Sequence, residues 1–254
     1  MNNTAFESII STHGKLLSYE YLPGKQPTVV FLGGYASDMT GTKGEWLRSF
    51  CEKNGRAYLR LDYSGHGQSE GEFEFGTIGE WMSDALDVIT MAVSGPMILV
   101  GSSMGGWIML LVARQLKERV AGLVGIAAAP DFTENLMWND FDQTTRDRLI
   151  QHGVIRLPSE YDEQGLPLRF QFIEDGRRHL LLREPLALDC PVRLIHGMRD
   201  ADVPWQTADR IMGQLSSEDV RIHYIKDGDH RLSDALNLAF LGSVLRDLLE
   251  QLAP

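Results

Sequence analysis

Cysteine is nearly absent from this chain: Cys51 and Cys190 are the only two in 254 residues. Two thiols so far apart make no disulfide framework, and without a CxxC pair there is no zinc or redox spacing. Both are expected to be reduced, packed thiols. Long apolar runs are lacking as well. No stretch reaches the ~18 apolar residues that a spanning helix needs, so no membrane span is expected. Basic charge is in deficit, with 24 Lys and Arg against 35 Asp and Glu and a net charge of −11. No local Lys/Arg cluster stands out, which argues against nucleic acid or an anionic membrane as partner. The first residues, Met1 to Glu7, carry neither a basic region nor an apolar core. The expectation is therefore a cytoplasmic protein without a signal peptide. Residues 101–106 match neither GxGxxG nor a P-loop, and no His/Cys/carboxylate group has metal-ligand spacing, so no cofactor and no metal are expected. Repeats and low-complexity tracts are missing too, and oligomeric state leaves no trace in the sequence.

What is present is an alternation of short β-branched runs with longer helical stretches. Residues 5–12 and 15–22 read as a hairpin around His13-Gly14. The segments 28–32, 57–61, 97–100, 120–127, 192–196 and 220–225 read as strands. Helices are expected at 42–53, from Thr77 to about Val93, at 104–117, 206–216 and 233–252. Thr77 and Glu80 form a capping-box signature at one of these starts. The rhythm breaks after Ala127 and returns only at Val192, farther than one crossover requires. Residues 131–189 are therefore expected to be an insertion in a single 1–254 domain, with weak helices near 142–152 and 167–182. Such alternation implies a mainly parallel sheet covered by helices on both faces.

The strongest local signal is Gly101-Ser102-Ser103-Met104-Gly105-Gly106, which ends one strand and opens a helix. GxSxG by itself is weak, but between strand and helix it describes a nucleophile elbow. The turn is sharp enough to demand small neighbours, and the helix N-terminus behind it favours developing negative charge. Ser103 is the expected nucleophile and Ser102 a bystander.

A serine hydroxyl needs a base to accept its proton and a carboxylate to orient that base. In a sheet of this kind these follow in the order Ser, acid, His, in loops at the C-terminal edge. Of seven histidines, only His230 follows the acid in a loop after a late strand; His196 and His223 lie in or beside strands, and His66 is expected to brace the site. Asp200 is the expected acid. Asp202 is the rival, but it precedes Val203-Pro204, where the next helix is set up. Asp227 and Asp229 are too close in sequence to His230 for an easy side-on bond. An oxyanion hole needs the backbone N–H of the residue after the nucleophile, Met104, and one from the loop after strand 28–32. There Gly33-Gly34 lets the backbone come close, and the N–H of Tyr35 is the expected donor.

With these pieces placed, the chain resembles the α/β-hydrolase family over nearly its whole length. More narrowly it is similar to bacterial relatives of the mitochondrial palmitoyl-protein thioesterase and acyl-glucuronide esterase branch. The matching stretches are 37–43, Asp62-Tyr63-Ser64-Gly65-His66-Gly67, Gly101 to Trp107, His196 to Trp205, and Asp227-Gly228-Asp229-His230-Arg231. The resemblance implies a mostly parallel eight-stranded sheet with an antiparallel start, helices on both faces and a helical cap from the insertion. It also implies the same roles for Ser103, Asp200, His230, Tyr35 and Met104. No mitochondrial presequence is seen, so location is not carried over.

The expected reaction is hydrolysis of a small-molecule acyl ester or thioester through an acyl-Ser103 intermediate. Hydrolysis of an amide or carbon–carbon bond by the same residues, or a weakly catalytic ligand receptor on this fold, remains open. Aromatic and apolar residues of the insertion, Phe132, Met137, Trp138 and Tyr161 among them, either wall an acyl pocket or hold the cap to the core. Phe132, Met137 and Trp138 are the pocket candidates.

Overall fold

Strands covered on both faces must be apolar along their length, and strands covered on one face alternate. That rule orders the sheet of this computed structural model, which describes residues 6–157 and 165–252. The strands β3 (Lys25–Leu32), β4 (Arg56–Leu61), β5 (Met97–Ser102), β6 (Val120–Ile126) and β9 (Val192–Gly197) are buried over most or all of their residues. Of the outer strands, β1 (Glu7–Ile10) is mostly exposed and β10 (Val220–Ile225) is half-buried. With β2 (Leu16–Leu22) they form one eight-stranded sheet in the order β1-β2-β4-β3-β5-β6-β9-β10. The β1/β2 and β2/β4 pairs are antiparallel, and the rest are parallel.

Helices cover both faces. On one side α1 (Thr42–Lys53) and α7 (Ala235–Gln251) pack Leu47, Phe50, Leu241 and Leu245 against Val29, Ile98 and Val124. On the other, α2 (Ile78–Ala92), α3 (Met104–Gln115) and α6 (Thr207–Gln214) pack against Val30, Leu99 and Leu123. The Thr77 side chain accepts from the Glu80 N–H, so α2 starts where its capping signature stands. From Met104 to Ala113, α3 is buried on every side. Such a helix must be covered by something beyond the sheet.

That cover is the excursion between β6 and β9. It carries a π-helical stretch (Thr133–Trp138), α4 (Gln143–His152), an antiparallel hairpin of β7 (Val154–Leu157) and β8 (Leu166–Arg169), and α5 (Phe170–Arg178). The sequence reading placed a helix from 167; instead, residues 166–169 pair with β7 before the helix begins. A four-residue strand has too few residues for its period to be distinguished from a helical turn. Tyr161 lies outside the described residues. Asp131, buried with φ +61°, opens the excursion, and its carboxylate accepts the N–H groups of Leu181 (2.7 Å) and Leu182 (2.9 Å). Among the described residues no helix is long and apolar enough to cross a membrane.

Candidate active site

β5 stops at Ser102 and α3 starts at Met104, leaving one residue to turn the chain. Ser103 makes that turn with φ +54° and ψ −122°, a region disfavoured for an L side chain, at a cost of about 1–3 kcal/mol. Its surroundings hold it there. The Ser103 N–H donates to the Ile126 carbonyl at 2.9 Å, and its own carbonyl accepts from Gly106 (2.8 Å) and Ala129 (3.0 Å). A Cβ at Gly105 would collide with the Leu32 and Gly33 carbonyls, and one at Gly101 with the Gly105 backbone. Both glycines of the motif are thus required by close backbone approach.

The loops after β9 and β10 bring two further groups to Ser103. His230 Nε2 lies 3.0 Å from Ser103 Oγ, and His230 Nδ1 lies 2.8 Å from Asp200 Oδ2. Three side chains separated widely in sequence therefore form one hydrogen-bonded line. The Asp200 side chain is fully buried, and the imidazole is 20% exposed. Asp200 Oδ1 accepts the N–H groups of Asp202 (2.9 Å) and Val203 (2.8 Å). His196 Nε2 lies 3.1 Å from both Asp200 Oδ2 and the Val203 carbonyl; with acceptors on both, that nitrogen carries the proton and donates. Burial works to raise the Asp200 pKa, but hydrogen bonds from His196, His230 and Val203 outweigh it and hold the carboxyl well below the usual carboxylate range.

The rival residues lie elsewhere. The Asp202 side chain is exposed, and although its carboxylate comes within 4.8 Å of the line, it hydrogen-bonds to it through its backbone N–H. Asp229 accepts the Leu232 N–H and shapes the loop turn. His66 is boxed by Tyr63, Phe73 and Trp81, and burial lowers its pKa to about 4. The sequence reading missed His196 as a second donor to Asp200. Its signal was present: His196 ends a strand four residues before Asp200, so the two tips share one loop.

The loop after β3 comes down on Ser103. A Cβ at Gly34 would stand 3.4 Å from both the Ser102 carbonyl oxygen and Ser103 Cβ, so this backbone flanks the serine. Among the described residues, neither the Tyr35 nor the Met104 N–H has an acceptor. The loop is anchored from below. Asp62 accepts from the Met39 N–H (2.6 Å) and the Gln68 N–H (2.9 Å), while Arg60 donates to the Met39 carbonyl at 2.8 Å. The Tyr35 ring packs edge-on against Phe73 (4.8 Å), and burial raises its phenol pKa to about 12.

A cavity of about 430 Å³ opens over Ser103 and His230. Its wall is evenly mixed, with Ser37, Thr42, Lys43, Asp202, Arg231 and Ser233 among its polar members and Phe31, Tyr35 and Leu166 as its large apolar ones. The structure does not bring Phe132, Met137 or Trp138 into this wall. Phe132 is buried against Trp107, Tyr35 and Phe172. Trp138 packs on Phe170 and carries the guanidinium groups of Arg146 and Arg177 over its ring. Met137 packs on the core. Phe132 ties the excursion to its support, and Trp138 ties the parts of the excursion to one another. Burying aromatic side chains is an effective way to hold so thin a layer.

Asp200, Asp202 and His230 each present one ligand atom within 4.8 Å of the others, the spacing of a metal cluster. Most of that donor capacity is already committed: both Asp200 oxygens accept donors, and both His230 nitrogens are hydrogen-bonded. The cluster therefore reads as an internal hydrogen-bond network rather than a cation site.

A mostly parallel sheet in this order, with a serine at the strand–helix turn after β5, defines an α/β-hydrolase. A family model described as "Serine aminopeptidase, S33" matches residues 24–157, and the chain belongs to that family. The match holds Ser103 and ends before Asp200 and His230. Palmitoyl-protein thioesterase ABHD10, mitochondrial, of Homo sapiens is 39% identical over 238 residues, 93% of this chain and 78% of that one. The solved structure of alpha/beta hydrolase domain-containing protein 10 from mouse superposes with a TM-score of 0.91 at 36% identity, covering 98% of this chain and 100% of that one. A putative hydrolase from Agrobacterium vitis S4 gives the same TM-score and identity, covering 96% and 98% of the two chains. The chain is a hydrolase. One expectation is overturned: the curated relatives are mitochondrial proteins, so the cytoplasmic assignment drawn from the N-terminal composition does not stand.

Proposed function

We propose that this enzyme hydrolyses small acyl esters or thioesters through an acyl-Ser103 intermediate. The observation that carries the reading is the unbroken line from Ser103 Oγ through His230 to Asp200 at the wall of an open cavity. His230 Nε2 takes the Ser103 proton as Oγ attacks the acyl carbonyl carbon. Charge then develops on the carbonyl oxygen, and the N–H groups of Tyr35 and Met104, which lack acceptors among the described residues, are the proposed donors to it. Collapse of the tetrahedral intermediate expels the alcohol or thiol, which leaves with the proton from His230. Water repeats the sequence on the acyl-enzyme and frees Ser103. Asp200 stays ionised throughout, fixing the imidazole tautomer and offsetting its transient charge. His196 and two backbone N–H groups hold that carboxylate in place, as the supporting shell of a catalytic group must.

Thioester cleavage draws support from the name of the palmitoyl-protein thioesterase relatives, and amide cleavage from the family description. A matched butyryl ester, thioester and anilide series separates them. The expected order is thioester and ester well above anilide, with a burst of leaving group equal to the enzyme concentration. An anilide hydrolysed as fast as the ester would overturn the reading, and so would turnover that survives Ser103→Ala.

A further inference from the structure

The cavity wall contains a charge that the reaction above does not use. Lys43 sits in the first turn of α1, half-buried, with its ammonium in the wall that also holds Ser103 and His230. Its Nζ donates to the Arg231 carbonyl at 2.5 Å and to Ser233 Oγ at 3.2 Å. An ammonium has three N–H donors, so one is left. Among the described residues no carboxylate ion-pairs with it; Asp229 acts on it only at longer range. A desolvated ammonium without a paired carboxylate is costly, and such a charge at a cavity is the usual mark of an anionic ligand.

Position says which end of the substrate the anion belongs to. Lys43 grips the residue immediately after His230, and His230 delivers its proton to the departing group. The leaving group therefore lies on the side of Lys43. The hydroxyls of Ser37 and Thr42 share this wall and can complete the coordination of a carboxylate or phosphate. Two carboxylates line the same cavity. Asp38 is turned onto the Thr40 N–H and hydroxyl, and Asp202, exposed in the loop after β9, has a carboxylate oxygen within 4.8 Å of a His230 nitrogen.

We propose that Lys43 forms an anion subsite on the leaving-group side of Ser103, selecting esters or thioesters whose leaving group carries a carboxylate or phosphate. The proposal rests on the acyl-enzyme reading above and names the substrate class it leaves open.

The test compares kcat/KM for the butyryl ester of 4-hydroxyphenylacetate with that of its methyl ester, a pair alike except for the charge. A phosphonomethyl analogue supplies the phosphate arm. The wild type is expected to prefer one or both anionic esters by about ten-fold, as an added charge-assisted bond allows. Lys43→Met should bring that ratio to about one, whatever its effect on absolute rate through the released Arg231 carbonyl. Lys43→Arg should keep most of it. Burial lowers the Lys43 pKa to about 8, Asp229 opposing and Arg231 reinforcing, so the preference should fade as pH rises through that value. Tyr35, Asp38, Asp202, His230 and Arg231 are the other titratable or charged groups of the wall.

Calorimetric binding of 4-hydroxyphenylacetate and its methyl ester to Ser103→Ala, with and without Lys43→Met, reads the subsite without turnover. Lys43-dependent binding with no ester turnover would sink the acyl-enzyme reading and leave the anion site standing. Ester turnover with a charge ratio of one in the wild type, or one untouched by Lys43→Met, would overturn the anion subsite alone.

Discussion

Replacing Asp200 by asparagine changes almost no volume and tests the hydrogen-bonded line at its least exposed member. Asp200 receives four donors, two imidazole N–H groups at Oδ2 and two backbone N–H groups at Oδ1. An amide accepts on one side only. Turned with its oxygen to the backbone, the substituted side chain presents NH2 to His230 Nδ1, which must then accept. The imidazole proton moves to Nε2 and points at Ser103, where a base is needed. A wrong tautomer of this kind costs about 10⁴ in kcat. Turned the other way, the NH2 faces two backbone donors, and charge-assisted bonds worth about 1.5–3 kcal/mol each are lost. A net penalty of about 2–3 kcal/mol corresponds to a fall in Tm of roughly 4–12 °C at this chain length. Because the folded-state carboxyl lies below its ordinary value, this stabilisation is complete above the unfolded pKa and is lost only as pH falls through the lower folded one. The Tm penalty is therefore full at neutral pH and shrinks in strong acid. Steady-state hydrolysis of 4-nitrophenyl butyrate, with thermal melts across pH, reads both effects. Asp200→Asn retaining kcat within ten-fold while Asp202→Asn loses it would refute the reasoning.

Ser103→Ala should abolish turnover and fluorophosphonate labelling, with a loss on the order of 10⁴–10⁶ in kcat, while Ser102→Ala keeps most activity; intact-mass detection of the adduct decides which serine is modified. Tyr35→Phe should hold kcat within a few-fold, because the backbone N–H and not the phenol is the expected donor. Gly34→Val should lower it sharply by pushing the loop off the Ser103 backbone; the affinity of a boronic-acid transition-state analogue would track kcat in both variants. Trp138→Ala should lower Tm through a loss of about 1–3 kcal/mol, less than for a fully buried aromatic because Trp138 is half-buried, and leave the acyl-chain-length profile of kcat/KM unchanged. A flattened profile would return Trp138 to the pocket.

The parts legible in the sequence were those where local chemistry admits one arrangement. Gly101 and Gly105 could be read because a turn that sharp excludes side chains, and Thr77 because a cap announces itself three residues ahead. The order Ser103, Asp200, His230 was readable because successive parallel strands end on the same edge. The π-helical stretch and the β7–β8 hairpin were not, since four to six residues carry no resolvable period. The side of Trp138 that faces the core was hidden as well. Its partners Arg146, Phe170 and Arg177 are assembled only by tertiary folding, and an aromatic residue in a cap has the same sequence signature whether it walls a pocket or anchors a layer. Lys43 escaped notice for a related reason: its partners lie 188 and 190 residues away.

Asp131 gives the excursion over α3 a common doorway, since the segment leaves the frame at this carboxylate and is received back by it 50 residues on. What is strung between those two points touches α3 and the Tyr35 loop through Phe132 and Phe172 but adds no strand to the eight-stranded sheet. Lengthening a closed segment costs only the logarithm of its size, about 0.6 kcal/mol for each doubling. The frame can thus accept a shorter or longer canopy, provided that the cover Phe132 gives to Trp107 and Tyr35, and Phe172 gives to Tyr35, is kept. Grafting a foreign canopy between Asp131 and Leu181, with those two rings kept, is the natural route for exchanging substrate preference, in the laboratory and over evolutionary time alike.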